Sequence, residues 1–101
     1  MHVMQAIEQR RSIRQYQDRP VEEATLAQVL EAARLAPSAR NRQEWRFVVV
    51  KDAAQIQRVA EAAGQPFIGT APVIIAGVAL DPERVMRCGV PTYAVDLAIA
   101  M

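Results

Sequence analysis

The chain has one cysteine, Cys88, and one histidine, His2. A single thiol forms no intrachain disulfide, and two such residues make no Cys/His cage for a metal. His2 sits at the fray-prone N-terminus. A zinc site or a Ser-His-Asp triad therefore has nothing to be built from. Glycine is scarce too: four residues, none in a Gly-x-Gly-x-x-Gly dinucleotide fingerprint. The formal net charge is only +1, too small for generic nucleic-acid or membrane electrostatics. Aromatics are few, which argues against an RNA-stacking surface. No apolar run approaches transmembrane length, and the N-terminus lacks the apolar stretch of a signal peptide. The expectation is a soluble, cytoplasmic chain with neither nucleic acid nor membrane as partner.

What is present is a chain of 101 residues, 51% hydrophobic, enough for one small domain spanning 1–101. A core of this size is modest, and a partner subunit or a cofactor would add to it. Charge is uneven. Residues 1–51 carry nine cations and six acids; residues 52–101 carry three cations and five acids. All the cations but Lys51 are arginine. The guanidinium is a planar fork that matches phosphate oxygens and stacks on rings, which the lysine ammonium does not.

The spacing of apolar residues predicts a short helix over 3–9 and a longer one from Glu22 to Ala36. Leu26, Val29, Leu30 and Ala33 form the stripe of the second. Pro37 ends it, and Ser38 to Arg46 reads as a polar loop. Phe47–Val50 reads as a buried strand, with Asp52 as cap of a following helix that Gly64 stops. Pro72–Ala79 reads as a second buried strand, and Tyr93–Met101 as a helix still apolar at the last residue. That ending reads as a cut. Asp96 reads as a first-turn helix acid, Trp45 as core, Phe67 and Tyr93 as packing residues, and Cys88 as an ordinary thiol.

Two polar clusters interrupt this pattern. In the first, Arg10, Ser12 and Arg14 share one face of an extended segment while Arg11 and Ile13 take the other. Guanidinium groups and a hydroxyl near a helix end suit a phosphate. The same residues also suit a solvated basic helix C-terminus. In the second, Ser38, Asn41 and Gln43 can hydrogen-bond a heteroaromatic edge, or Ser38 and Asn41 can simply shape a turn after Pro37.

The order Arg-Arg-Ser-Ile-Arg-x-Tyr, Ala-Ala-Arg-Leu-Ala-Pro-Ser-Ala, Asn-x-Gln-x-Trp-Arg-Phe-Val-Val-Val and Ala-Pro-Val-Ile-Ile resembles the nitroreductase family of flavin enzymes. The resemblance runs through the whole chain. It implies an α+β fold, a mixed β-sheet flanked by helices, of which this chain is the N-terminal portion. It implies FMN as cofactor, NADH or NADPH as donor, and a homodimer with flavin at the subunit interface. The acceptor would be a small electrophile such as a nitroaromatic or quinone. Carried over by position, Arg10, Arg11 and Ser12 fall at the flavin phosphate and Arg14 beside the pyrimidine ring. Pro37, Ser38, Ala39 and Asn41 reach the flavin of the other subunit, with Gln43 supporting that loop, and Gln65 aligns loosely with a ring or ribityl contact. The chemistry would lie on flavin N5, with no catalytic side chain. Glu44 stands where the family commonly has proline, and the glycine-rich and late basic segments of the family are missing. The alternative is a non-catalytic flavin-binding or dimerisation fragment of such a protein.

Overall fold

The computed structural model describes residues Met1–Met101. Four helices and two strands follow in the order α1 (Val3–Gln9), α2 (Glu23–Arg34), β1 (Trp45–Val50), α3 (Ala53–Ala63), β2 (Ile74–Ala79) and α4 (Thr92–Ala100). Short 3-10 turns at Ala39–Asn41 and Pro66–Thr70 precede the two strands. The α+β expectation holds. The sheet formed by these residues is an antiparallel pair, with Trp45 opposite Ala79 and Val50 opposite Ile74.

Local chemistry sets the element ends. Asp52 caps α3 by accepting the Gln55 backbone N–H at 3.0 Å. At its other end Gly64 adopts φ 66°, and the N–H groups of Gly64 and Gln65 donate to Glu61 and Ala60 carbonyls. This is the Schellman arrangement, which needs a left-handed residue where the helix stops. The polar loop expected through Arg46 ends earlier. Trp45 and Arg46 already pair with Ala79 and Val78, so β1 is six residues long. β2 begins at Ile74, two residues later than expected, after Pro72, which has no N–H to give a ladder.

α4 packs across β2 and also meets α2. Gly77 permits the close approach: a Cβ there would lie 2.9 Å from Leu97 Cδ2. The strands were expected to be buried, yet Val48 is 45% and Val78 41% exposed. Cover falls mainly on one side of the ribbon, so residues alternate in burial along β1. Trp45 and Phe47 share a side with ring centroids 6.3 Å apart, and Trp45 is half-buried, not core.

Only Leu26, Ile56, Ala60, Thr92 and Asp96 are buried. The accessible surface is 7970 Å², against about 5,700 Å² for a compact monomer of this mass. The radius of gyration, 15.4 Å, exceeds the roughly 13 Å of a compact chain this long. Val3, Met4 and Ile7 on α1 are each more than 60% exposed, so the stripe seen in the sequence faces outward.

Candidate functional site

After α1 the chain runs extended through the first cluster, with Arg10 at φ −57° and ψ 132°. Arg10 Nη1 lies 3.4 Å from Ser12 Oγ, as alternation on an extended segment requires. Arg11 turns the other way. Its Nη1 donates to the Glu8 and Arg10 carbonyls at 2.8 Å, satisfying the open C-terminal end of α1. Arg11 thus takes the helix C-terminal role, while Arg10 lies beside Ser12. Arg14 places its guanidinium carbon 5.9 Å from the centroid of the Phe67 ring, within cation–π range. Phe67 lies in the 3-10 turn whose N-terminal flank is Gln65. The fold thus brings Arg14 to the segment carrying Gln65, and Phe67 gains a role beyond packing.

None of Arg10, Arg11 and Arg14 belongs to an ion pair of the chain. An arginine cluster without carboxylates leaves its donors to solvent or to an anionic ligand. No group of three or more His, Cys, Asp or Glu side chains is arranged to hold a metal.

The second cluster is a strained loop. Arg40, Asn41 and Gln43 have φ of 53°, 53° and 55°. Left-handed backbone costs non-glycine residues about 1 kcal/mol or more each, asparagine least. Hydrogen bonds hold it. Ser38 Oγ accepts the Gln43 N–H at 3.0 Å, and the Ser38 carbonyl accepts the Asn41 N–H at 2.9 Å. The Ser38 side chain is therefore committed to shaping the loop. The third clamp comes from far away: Ala39 N–H donates to Asp96 Oδ1 at 3.1 Å. Asp96 is 5% exposed and is the fifth residue of α4, so it is not the first-turn acid the sequence suggested. The readable signal was a lone acid amid Tyr93–Ala100, otherwise wholly apolar.

Glu44, at the exit of the loop, accepts from Arg84 Nε at 2.8 Å, and Arg84 also reaches Asp81 at 3.1 Å. The Glu44 hydrogen bond raises the Arg84 pKa further, so this guanidinium stays charged. The Glu44 carbonyl accepts the Leu80 N–H at 3.0 Å. Glu44 thus ties the loop to the segment after β2, a tie proline's side chain could not make. Cys88 is exposed on that segment.

The two clusters line no common cleft among the four principal ones. Gln65 borders a cleft of about 310 Å³ with Gln57 and Glu61, whereas Ala39 borders a different one. Pro37, Ser38, Ala39, Asn41 and Gln43 stand together on the clamped loop, apart from Arg10, Ser12 and Arg14.

An α+β frame with an arginine-rich extended arm and a strained Pro-Ser-x-x-Asn loop defines a class of fold, and sequence comparison agrees. The chain belongs to the nitroreductase family, whose profile residues 7–73 match. A Thermus thermophilus protein named NADH dehydrogenase is 52% identical over 67 residues, 65% of this chain and 33% of that protein. A Bacillus subtilis FMN reductase [NAD(P)H] is 39% identical over 74 residues, 72% of this chain and 30% of the relative. Among solved structures, an FMN-dependent nitroreductase from Clostridium difficile R20291 superposes with a TM-score of 0.83 at 31% identity, over 97% of this chain and 55% of that one. The matched stretches cover about a third of those two relatives, and up to 52% of another curated relative.

Proposed function

We propose that the chain is the flavin-holding part of an FMN-dependent oxidoreductase that uses NADH or NADPH to reduce an electrophilic small molecule, such as a nitroaromatic or quinone. The observation that carries this is the first cluster: Arg10 and Arg14 without carboxylate partners, Ser12 beside Arg10, and Arg14 on an aromatic face next to Gln65. These groups fit an anionic, flat, hydrogen-bonding molecule. The names of the relatives, FMN reductase and FMN-dependent nitroreductase, support the choice of FMN.

When bound, FMN supplies hydride acceptance at N5 and onward electron transfer. The side chains hold and bias it. Arg10 and Ser12, with the free donors of Arg11, take the phosphate end. Arg14 offers a fixed positive charge to the ring, favouring any state in which the ring becomes more negative. Pro37, Ser38, Ala39 and Asn41 present a preshaped backbone edge, with Gln43 closing the loop through its N–H. No side chain is assigned a proton.

Because Arg10, Ser12 and Arg14 do not border the cleft that Ala39 lines, the reading places the two clusters in two subunits of a homodimer, each completing the other's site. The single cysteine and the lack of any helix long and apolar enough to cross a membrane are compatible with cytoplasmic work.

Titration with FMN, followed by flavin fluorescence and visible absorbance, tests the reading. Saturable binding is expected, weakened about tenfold in Arg14→Ala, the loss of about 1.4 kcal/mol of charge-assisted contact. Unchanged affinity in that variant would remove Arg14 from the site. No binding at all would leave a dimerisation fragment as the better description.

A further inference from the structure

A cleft of about 380 Å³ opens between the strained 39–42 turn and the segment after β2. Half of its eight lining residues are arginines: Arg40, Arg42, Arg84 and Arg87. Arg84 is neutralised by Glu44 and Asp81. Arg40, Arg42 and Arg87 take part in no ion pair. Three guanidinium groups without carboxylate partners therefore border one concavity, which leaves their donors to solvent or to an anion.

The backbone holds the arginines there. Thr92 N–H donates to the Arg84 carbonyl at 3.0 Å, Met86 N–H to Val90 at 2.9 Å, and Gly89 N–H to Met86 at 2.9 Å. Gly89 takes φ 87°, closing a tight turn that carries Arg87. Across the cleft, Arg40 is itself left-handed and Arg42 follows the clamped turn. A second, independent feature points the same way. Buried Thr92 lines the cleft as the first residue of α4, whose N-terminus has no side-chain cap, so its dipole adds positive potential.

We propose that this cleft binds a phosphate monoester dianion, and that in the working oxidoreductase it receives the 2′-phosphate of NADPH, so that NADPH is favoured over NADH. The donor assignment rests on the oxidoreductase reading above; the anion site does not. Arg10 and Ser12, assigned to the flavin phosphate, do not line this cleft, whereas Ala39 of the flavin loop lies on its border. Forked donors from two loops meet a tetrahedral dianion from several sides, which a ribose hydroxyl cannot reward equally.

Calorimetric titration of the full chain with NADP+ and with NAD+, which differ only in the 2′-phosphate monoester, tests this. NADP+ should bind about tenfold or more tightly than NAD+. An Arg42→Gln/Arg87→Gln double variant should lose that difference while binding FMN as the parent does. Equal affinities for the two nucleotides, or an undiminished difference in the double variant, overturn the site. A parallel loss of FMN affinity in the double variant also overturns it, because the cleft then belongs to the flavin. A chain that discriminates the nucleotides yet takes no FMN upholds the anion site and refutes the oxidoreductase reading instead.

Discussion

Removing the Asp96 carboxylate tests the link between α4 and the candidate flavin loop. Asp96 is 5% exposed and its Oδ1 accepts the Ala39 N–H at 3.1 Å. A hydrogen bond to a charged group contributes about 1.5–3 kcal/mol, and the abandoned amide loses its partner in a half-buried place. Relief of burying a carboxylate offsets part of this, so Asp96→Ala should cost about 2 kcal/mol. For a domain of this size that is about 10 °C in Tm. The loop stores about 3 kcal/mol of backbone strain in its three left-handed residues. Releasing one of its clamps frees Arg40 and Asn41 to leave the left-handed region. Asp96→Asn retains an acceptor oxygen and should lose about half as much. Denaturant melts give the stability, hydrogen exchange at the Ala39 amide gives the clamp, and FMN titration gives the functional cost, about tenfold in Kd. If Asp96→Ala melts and exchanges like the parent, the clamp is not holding the loop. If it loses the clamp and binds FMN undiminished, the loop is not part of the flavin site.

Gly64→Ala should destabilise by about 1 kcal/mol, read from denaturant midpoints, because φ 66° is unfavourable for any Cβ although space around it is open. The exposed Glu31–Arg34 pair gives a pH signature. The Arg34 hydrogen bond holds the Glu31 carboxyl below its usual 4.5, so in acid the unfolded chain binds the proton first. The contribution is present above the ordinary carboxylate range and is lost as pH falls through the folded-state value. The stability gap between parent and Arg34→Ala should therefore exist near about pH 7 and close by about pH 2. A gap independent of pH would mean that lost helix propensity, not the ion pair, sets it.

Local signals were readable where one residue dictates one conformation. The Asp52 cap, the Gly64 stop and the burial of Leu26 on its helix all follow from short-range chemistry. So did α1, whose observed bounds match those expected. The Arg10–Ser12 pairing followed from alternation alone. What was not readable depends on contacts distant in sequence. Ala39 and Asp96 are 57 residues apart, and Glu44 and Arg84 are 40 apart. Periodicity cannot say which acid reaches which donor. Burial was misjudged for a related reason. Val29 sits on the helical stripe but is 51% exposed, since a stripe shows what needs cover and not whether the chain itself provides it. The basic cleft went unseen because its arginines come from two separate segments.

A ribbon of two strands is all edge. Within residues 1–101 each of β1 and β2 has one edge paired and the other without a strand beside it. Phe47–Val50 is therefore a short, β-branched template to which another extended chain could add. Charge brackets it, with Arg46 before and Lys51-Asp52 after, the placement expected of residues that discourage stacking of identical strands. Salt that screens those flanking charges should then promote self-association along the strands before it disturbs the helices.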